Sequence, residues 1–201
     1  MQQIRSFVAI ELDPAMRTGI QRAQAQLKAG KHASIARWVA PESIHLTLQF
    51  LGDVPVDRVD KIGQAVQRAC RPFGPFDVHL SDLGCFPNPR KARVLWVGVG
   101  GDVETLARLQ RAVESELQGL GFAPENRPFQ PHLTLARIKD WAGPEERSAV
   151  ADQLARVQPD ASAAMTVREV HLMKSDLRPS GAVYTSLATA QLEHPRGLTN
   201  P

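Results

Sequence analysis

His45 and His132 open the same four-residue word, once as His45-Leu46-Thr47-Leu48 and again as His132-Leu133-Thr134-Leu135. Histidine is the side chain whose ordinary pKa lies nearest neutral pH, so one imidazole can hold a proton while another accepts one. A threonine hydroxyl donates to an anionic oxygen. Two facing His-x-Thr units supply what an in-line displacement at phosphorus needs. These are a base behind the attacking oxygen, an acid at the leaving oxygen, and donors around the equatorial oxygens. The residues alone leave open which imidazole is acid and which is base.

Both words read as β-strand. Ile44, Leu46, Leu48 and Phe50 alternate with His45, Thr47 and Gln49, and Phe129, Pro131, Leu133 and Leu135 alternate with Gln130, His132 and Thr134. Side chains alternate between the faces of a strand. The leucines therefore point into a core, and each His shares the opposite face with its Thr, about 7 Å on between Cα atoms. Strict alternation puts Arg137 on the leucine face, away from His132.

The chain has 201 residues, with 43% hydrophobic residues and a formal net charge of +3. That suits a folded protein with one good core or two small lobes sharing a cleft. The charge is a mild bias toward an anionic partner, not the footprint of a protein that coats duplex nucleic acid. Cys70 and Cys85 form no CxxC motif or disulfide framework and read as reduced thiols. No apolar run reaches a transmembrane length, and Met1 to Leu12 lacks a signal peptide's apolar core. The expectation is a soluble, cytoplasmic protein.

Other elements must position the two words. Ser6–Leu12 reads as a strand, with Phe7, Ala9 and Glu11 on one face. Asp13-Pro14 then caps a helix whose stripe is Met16, Ile20, Ala23 and Leu27. Arg37-Trp38-Val39 is a short extended piece. A helix from Pro55 carries Val59, Ile62, Val66 and Ala69 or Cys70. Phe76–Leu83 alternates as a strand, Gly84–Lys91 reads as a loop, and Val94–Val99 as a strand buried on both faces. Asp102–Leu120 is the clearest helix, with Leu106, Leu109, Val113 and Leu117. Gly143-Pro144 opens another. Strands over 164–174 and 183–191, joined by a loop over 175–181, complete the chain, and the tail 193–201 reads as loose. The fold expected is α+β and bilobal, in one domain over 1–201. Two pseudo-symmetric halves each carry an antiparallel-rich sheet with helices outside, and the His-x-Thr strands line a central cleft.

These residues carry a resemblance. Arg5-Ser6-Phe7-Val8-Ala9-Ile10, then Arg37-Trp38-Val39 through the first word to Gln49-Phe50-Leu51-Gly52, and Val94-Leu95-Trp96-Val97-Gly98-Val99 carry it in the first half. Pro131 through the second word to Ala136-Arg137, and Ser175-Asp176-Leu177 before Tyr184, carry it in the second. The sequence resembles the RNA 2′,3′-cyclic phosphodiesterases of the two-histidine phosphoesterase superfamily, historically called 2′-5′ RNA ligases. The resemblance implies metal-free hydrolysis of a ribose 2′,3′-cyclic phosphate at an RNA end to a 2′-phosphate, with no cofactor and no obligate protein partner. Reversal on RNA ends would give a 2′-5′ linkage. By motif position it makes His45 the proton donor to the departing 3′ oxygen and His132 the proton acceptor that activates water. Thr47 and Thr134 hold phosphate oxygens, and Arg137 contacts phosphate, which requires a twist or bulge to turn it toward His132. The alternative for Arg137 is a strand-end arginine facing solvent.

Phe7, Trp38, Phe50 and Tyr184 read first as core and second as stacking platforms for a base. Arg90, Lys91 and Arg93 read as a solvated loop. His32, His79, His171 and His194 lack a Thr partner and receive no role. No HxH or HExxH spacing supports zinc, and the glycines of Gly98–Gly101 lack the lysine of a P-loop. Two other functions stand beside the hydrolase: an RNA-end or nucleotide-binding module without turnover, and the same chemistry on a smaller cyclic or 2′-5′ linked nucleotide.

Overall fold

The structure is a computed structural model that describes residues 2–178 and 181–193. Most of the expected loose tail, His194 included, lies outside those residues. Among the described residues the strands are β1 (Gln3–Glu11), β2 (Ala36–Trp38), β3 (His45–Pro55), β4 (Phe76–Phe86), β5 (Val94–Gly101), β6 (His132–Ile138), β7 (Ala164–Val167), β8 (Glu169–Arg178) and β9 (Gly181–Gln191). The helices are α1 (Pro14–Lys28), α2 (Val59–Cys70), α3 (Val103–Gln118) and α4 (Pro144–Leu154). The strands form two sheets, β3-β1-β8-β9 and β2-β6-β5-β4-β7. Every pairing is antiparallel.

Helix starts obey local chemistry. The Asp13 carboxylate accepts from the Met16 amide at 2.8 Å, and Pro14 occupies the first turn, where no amide is needed. Asp102 accepts from the Thr105 amide at 3.0 Å and starts α3 the same way. Helix α1 comes after β1 of the first sheet but packs against β4 and β7 of the second. Helix α3 comes after β5 of the second sheet but packs against β3 of the first and against α2. The lobes are therefore not consecutive halves of the chain. Each sheet takes strands from both halves, and each motif strand pairs with the strand that precedes a crossing helix: β3 with β1, and β6 with β5. One apolar cluster, with Val8, Met16, Ile62, Leu106, Leu133 and Val150 among its members, takes in residues of both sheets and all four helices.

Four strand readings change. The strand over 76–83 runs on to Phe86, so Gly84, Cys85 and Phe86, expected in a loop, pair with Trp96, Leu95 and Val94. The single strand over 164–174 is two, β7 and β8, separated by Arg168 and lying in different sheets. The apolar pattern runs on because both pieces bury one face, so only the crossing between sheets divides them. The loop over 175–181 is mostly strand, since β8 runs to Arg178 and pairs down to Arg178↔Gly181. Ser175, Asp176 and Arg178 belong to a two-stranded arm whose end is exposed, and residues 179 and 180 lie outside the described residues. Strand β5 is not buried on both faces: Leu95 and Val97 are buried, whereas Val94 and Trp96 are half-exposed on the other face.

Candidate active site

Strands β3 and β6 run beside each other where the two sheets meet. In both, the histidine is half-buried, and its Nδ1 lies against the carbonyl two residues before it. His45 Nδ1 is 3.1 Å from Ser43 O, and His132 Nδ1 is 2.8 Å from Gln130 O. A carbonyl only accepts, so Nδ1 carries hydrogen in each ring, and Nε2 is the nitrogen turned away from that carbonyl. Thr47 and Thr134 are half-buried on the same faces as their histidines, while Leu46, Leu48, Leu133 and Leu135 are buried. The expected face assignment of both His-x-Thr pairs holds.

Beyond the words, alternation breaks in both strands. Ala9 pairs with Thr47 and Val8 with Gln49, so Leu48 is an extra residue on β3. Trp96 pairs with Thr134 and Leu95 with Ala136, so Leu135 is the equivalent extra residue on β6. A bulge of this kind inserts one residue and reverses the phase of the strand beyond it. Gln49 and Ala136 accordingly turn inward, at 5% and 0% exposure. Phe50 and Arg137 turn outward, onto the faces of His45 and His132. Phe50 is 66% exposed, which overturns both its place on the leucine face and its reading as core. Arg137, exposed, stands on the histidine face and not on the leucine face that strict alternation gives it.

The β6 bulge has a specific support. The Leu135 carbonyl accepts from the Val39 amide at 2.9 Å and from Gln24 Nε2 at 3.0 Å. The same Gln24 nitrogen donates to Val39 O at 2.8 Å. Gln24 sits on the buried side of α1 at 1% exposure. Its sequence signal is a polar residue beside Ala23 within an apolar stripe, which names a buried amide but not its partner.

Aromatic side chains close around both imidazoles. Phe7 stacks on His45 with ring centroids 4.5 Å apart, and Tyr184 meets His45 edge-on at 4.9 Å. Phe86 meets His132 edge-on at 5.0 Å, with Trp96 packed beside it. Gly84 makes room for that indole, since a Cβ there would stand 2.2 Å from Trp96 Cζ2. A cavity of about 250 Å³ adjoins His45, walled by Glu11, Arg17, Glu42, Ser43 and Tyr184. Burial pushes the Tyr184 hydroxyl above its usual range, against the pull of the Arg137 and Arg5 charges. Tyr184 thus touches His45 of one sheet and lies in the field of Arg137 from the other.

Burial pushes the His45 imidazole down to about 4, against the opposing hydrogen bond to Ser43 O. The resting protein holds this ring neutral at pH 7. An unfolded chain binds a proton at this position from about pH 6.5 downward, and the folded chain does not until about pH 4. Folding stability therefore falls as pH drops through that window, by about 3 kcal/mol from this group. Urea unfolding at pH 7 and pH 4.5 checks this. His45→Gln should remove much of the difference, and an unchanged difference would assign it to other groups.

Among the described residues His79 and His171 make contacts of their own, away from both His-x-Thr words. His79 Nδ1 lies 2.9 Å from Leu80 O. His171 is buried between Glu169, Ser186 and Thr189. Cys70 and Cys85 are free thiols. Among the described residues no helix is long and apolar enough to cross a membrane.

Comparison with known proteins gives one answer. Residues 11–179 match the profile of the 2′-5′ RNA ligase superfamily. The chain is 37% identical to an RNA 2′,3′-cyclic phosphodiesterase of Methanothermobacter thermautotrophicus over 94% of its own length and 100% of the relative's. It is 33% identical to one from Archaeoglobus fulgidus, over 92% and 98%. Among solved structures, TT0787 of Thermus thermophilus superposes with a TM-score of 0.78 at 27% identity, covering 95% of this chain and 99% of that one. Apo LigT of E. coli superposes with a TM-score of 0.76 at 27% identity, covering 96% and 100%. With profile, relatives and fold in agreement over nearly its whole length, the chain belongs to the 2′-5′ RNA ligase superfamily.

Proposed function

We propose that this protein hydrolyses the 2′,3′-cyclic phosphate at an RNA end to a 2′-phosphate, in the cytoplasm, without a metal ion, using His45 and His132 as the acid–base pair. The observation that carries the reading is the symmetric pair of Nδ1-anchored imidazoles on adjoining strands, each with a threonine on the same face. Relatives that act as RNA 2′,3′-cyclic phosphodiesterases support the substrate.

The cyclic phosphate sits between the two words. Thr47 and Thr134 donate to its non-bridging oxygens, and Arg137 neutralises the charge that builds in the transition state. His132 takes a proton from water as the oxygen attacks phosphorus. The P–O3′ bond breaks opposite it, and His45 returns a proton to O3′. The product keeps its phosphate on O2′. That order of roles comes from the resemblance, and it requires His45 to gain a proton once the anionic phosphate is bound. An oligoribonucleotide with a 2′,3′-cyclic phosphate end, incubated with excess chelator, should yield a 2′-phosphate. A 3′-phosphate product, or loss of activity with chelator, would sink the reading.

Phe50 gives the substrate a stacking surface, since an aromatic ring 66% exposed on the histidine face offers a base one open side. Phe50→Ala should raise KM about tenfold, the scale of one stacked base. Phe50→Tyr should restore it. A change in kcat with unaltered KM would count against stacking.

A further inference from the structure

Across the second sheet the register aligns Phe86, Val94, Arg137 and Arg37 in one row. Phe86 meets His132 edge-on, so this row lies on the histidine face. In β2 the flanking Ala36 is buried and Trp38 half-buried on the α1 side, while Arg37 is exposed and directly opposite Arg137. Like charges directly opposite on neighbouring strands destabilise a sheet. Among the described residues neither arginine forms an ion pair. Two arginines directly opposite on neighbouring strands of one face, with no ion-pair partner among the described residues, form a place for an anion.

The groove is also electrically uneven along its length. At the His45 end, Glu11 pairs with His45 across the strands, and Glu42 lines the adjoining cavity together with Arg17. Beyond the bulges stand the exposed Phe50 on β3 and the Arg37–Arg137 pair of β2 and β6. Arg5 has Asp53 as its cross-strand neighbour, whereas Arg37 and Arg137 face each other. The facing arginines of β2 and β6 draw a polyanion toward β2.

We propose that Arg37, beside Arg137, forms a subsite for the phosphodiester joining the terminal nucleotide to the rest of an RNA chain. The chain then leaves the groove over β2, and the protein selects oligonucleotide ends over mononucleotides. This rests on the function proposed above for the catalytic centre. Arg137 serves the reacting phosphate, and Arg37, one strand further out, serves the next one.

The test compares kcat/KM for a trinucleotide with a 2′,3′-cyclic phosphate end and for a mononucleoside 2′,3′-cyclic phosphate. The trinucleotide is expected to be the better substrate for the wild type. Arg37→Ala should lower the trinucleotide-to-mononucleotide ratio about tenfold. For the wild type, trinucleotide turnover should fall more steeply with salt than mononucleotide turnover, by a slope of about 0.7 per extra phosphate engaged. Equal losses on both substrates would place Arg37 on the reacting phosphate and overturn the subsite, as would a wild type without preference. Fluorescence anisotropy with a 5′-labelled, 2′-phosphate-ended trinucleotide separates this from failure of the catalytic reading. If the wild type turns over neither substrate, weaker binding by Arg37→Ala still supports the subsite, and equal binding overturns it.

Discussion

His45→Ala and His132→Ala should each slow cleavage of a cyclic-phosphate RNA end by about 10²–10⁴-fold, the range for loss of one positioned acid or base. The double variant should be far less than multiplicatively worse, because two groups that serve one proton-transfer sequence fail together. Single-turnover rates measure this, with circular dichroism to check folding. His45→Asn keeps an amide near Ser43 O and guards against collapse of the Phe7–Tyr184 surround, where removing the ring leaves a gap. A single variant that retains wild-type rates would remove that histidine from the mechanism. Tight binding of the RNA end by a wild type without turnover would favour the binding-module alternative.

The same pair exposes a tension between the resemblance and the electrostatics. The resemblance makes His45 the proton donor, yet burial holds the free ring down to about 4. A donor must be protonated when the substrate is bound. An adjacent phosphate anion favours the charged imidazole and works in the required direction. Binding of a 2′-nucleotide at pH 7 should therefore take up about one proton if His45 is the acid. Calorimetry in buffers of different ionisation enthalpy reads that uptake directly. Binding without proton uptake, with His45 still neutral by NMR, would exchange the roles and make His45 the base.

Much of this site was legible in the sequence, and the part that was not has a definite cause. Alternation placed His45, Thr47, His132 and Thr134 correctly because a strand's period of two holds through four residues. It failed at Phe50 because Leu48 is an extra residue in the ladder, and a leucine in a bulge looks like a leucine in a regular strand. The same ambiguity divided the readings of Arg137. Helix α1 was readable from Asp13-Pro14 and its apolar stripe, but not its destination on the opposite sheet. A stripe records that a face is buried, not against what. Gln24 carried the missing information in coded form: a buried amide inside a helix has to find carbonyl partners, and here they are Val39 and the bulged Leu135.

That connection gives the second large effect. Arg137→Ala should lower kcat/KM about 10²-fold, since charge-assisted hydrogen bonds contribute about 1.5–3 kcal/mol. Gln24→Met keeps the volume of the side chain but removes the donor that supports the bulge carbonyl. With that support gone, β6 loses its hold on the reversed phase, and Arg137 no longer presents steadily to the phosphate. Gln24→Met should cost about tenfold in kcat/KM, together with about 1–3 kcal/mol of stability for the buried carbonyl left short of a donor. The decisive comparison is the double variant. If Gln24 acts through Arg137, then Gln24→Met adds almost nothing once Arg137 is alanine, and the coupling between the two sites nearly equals the whole effect of Gln24. If the losses multiply, Gln24 supports the lobe generally, and the bulge holds Arg137 in place without it.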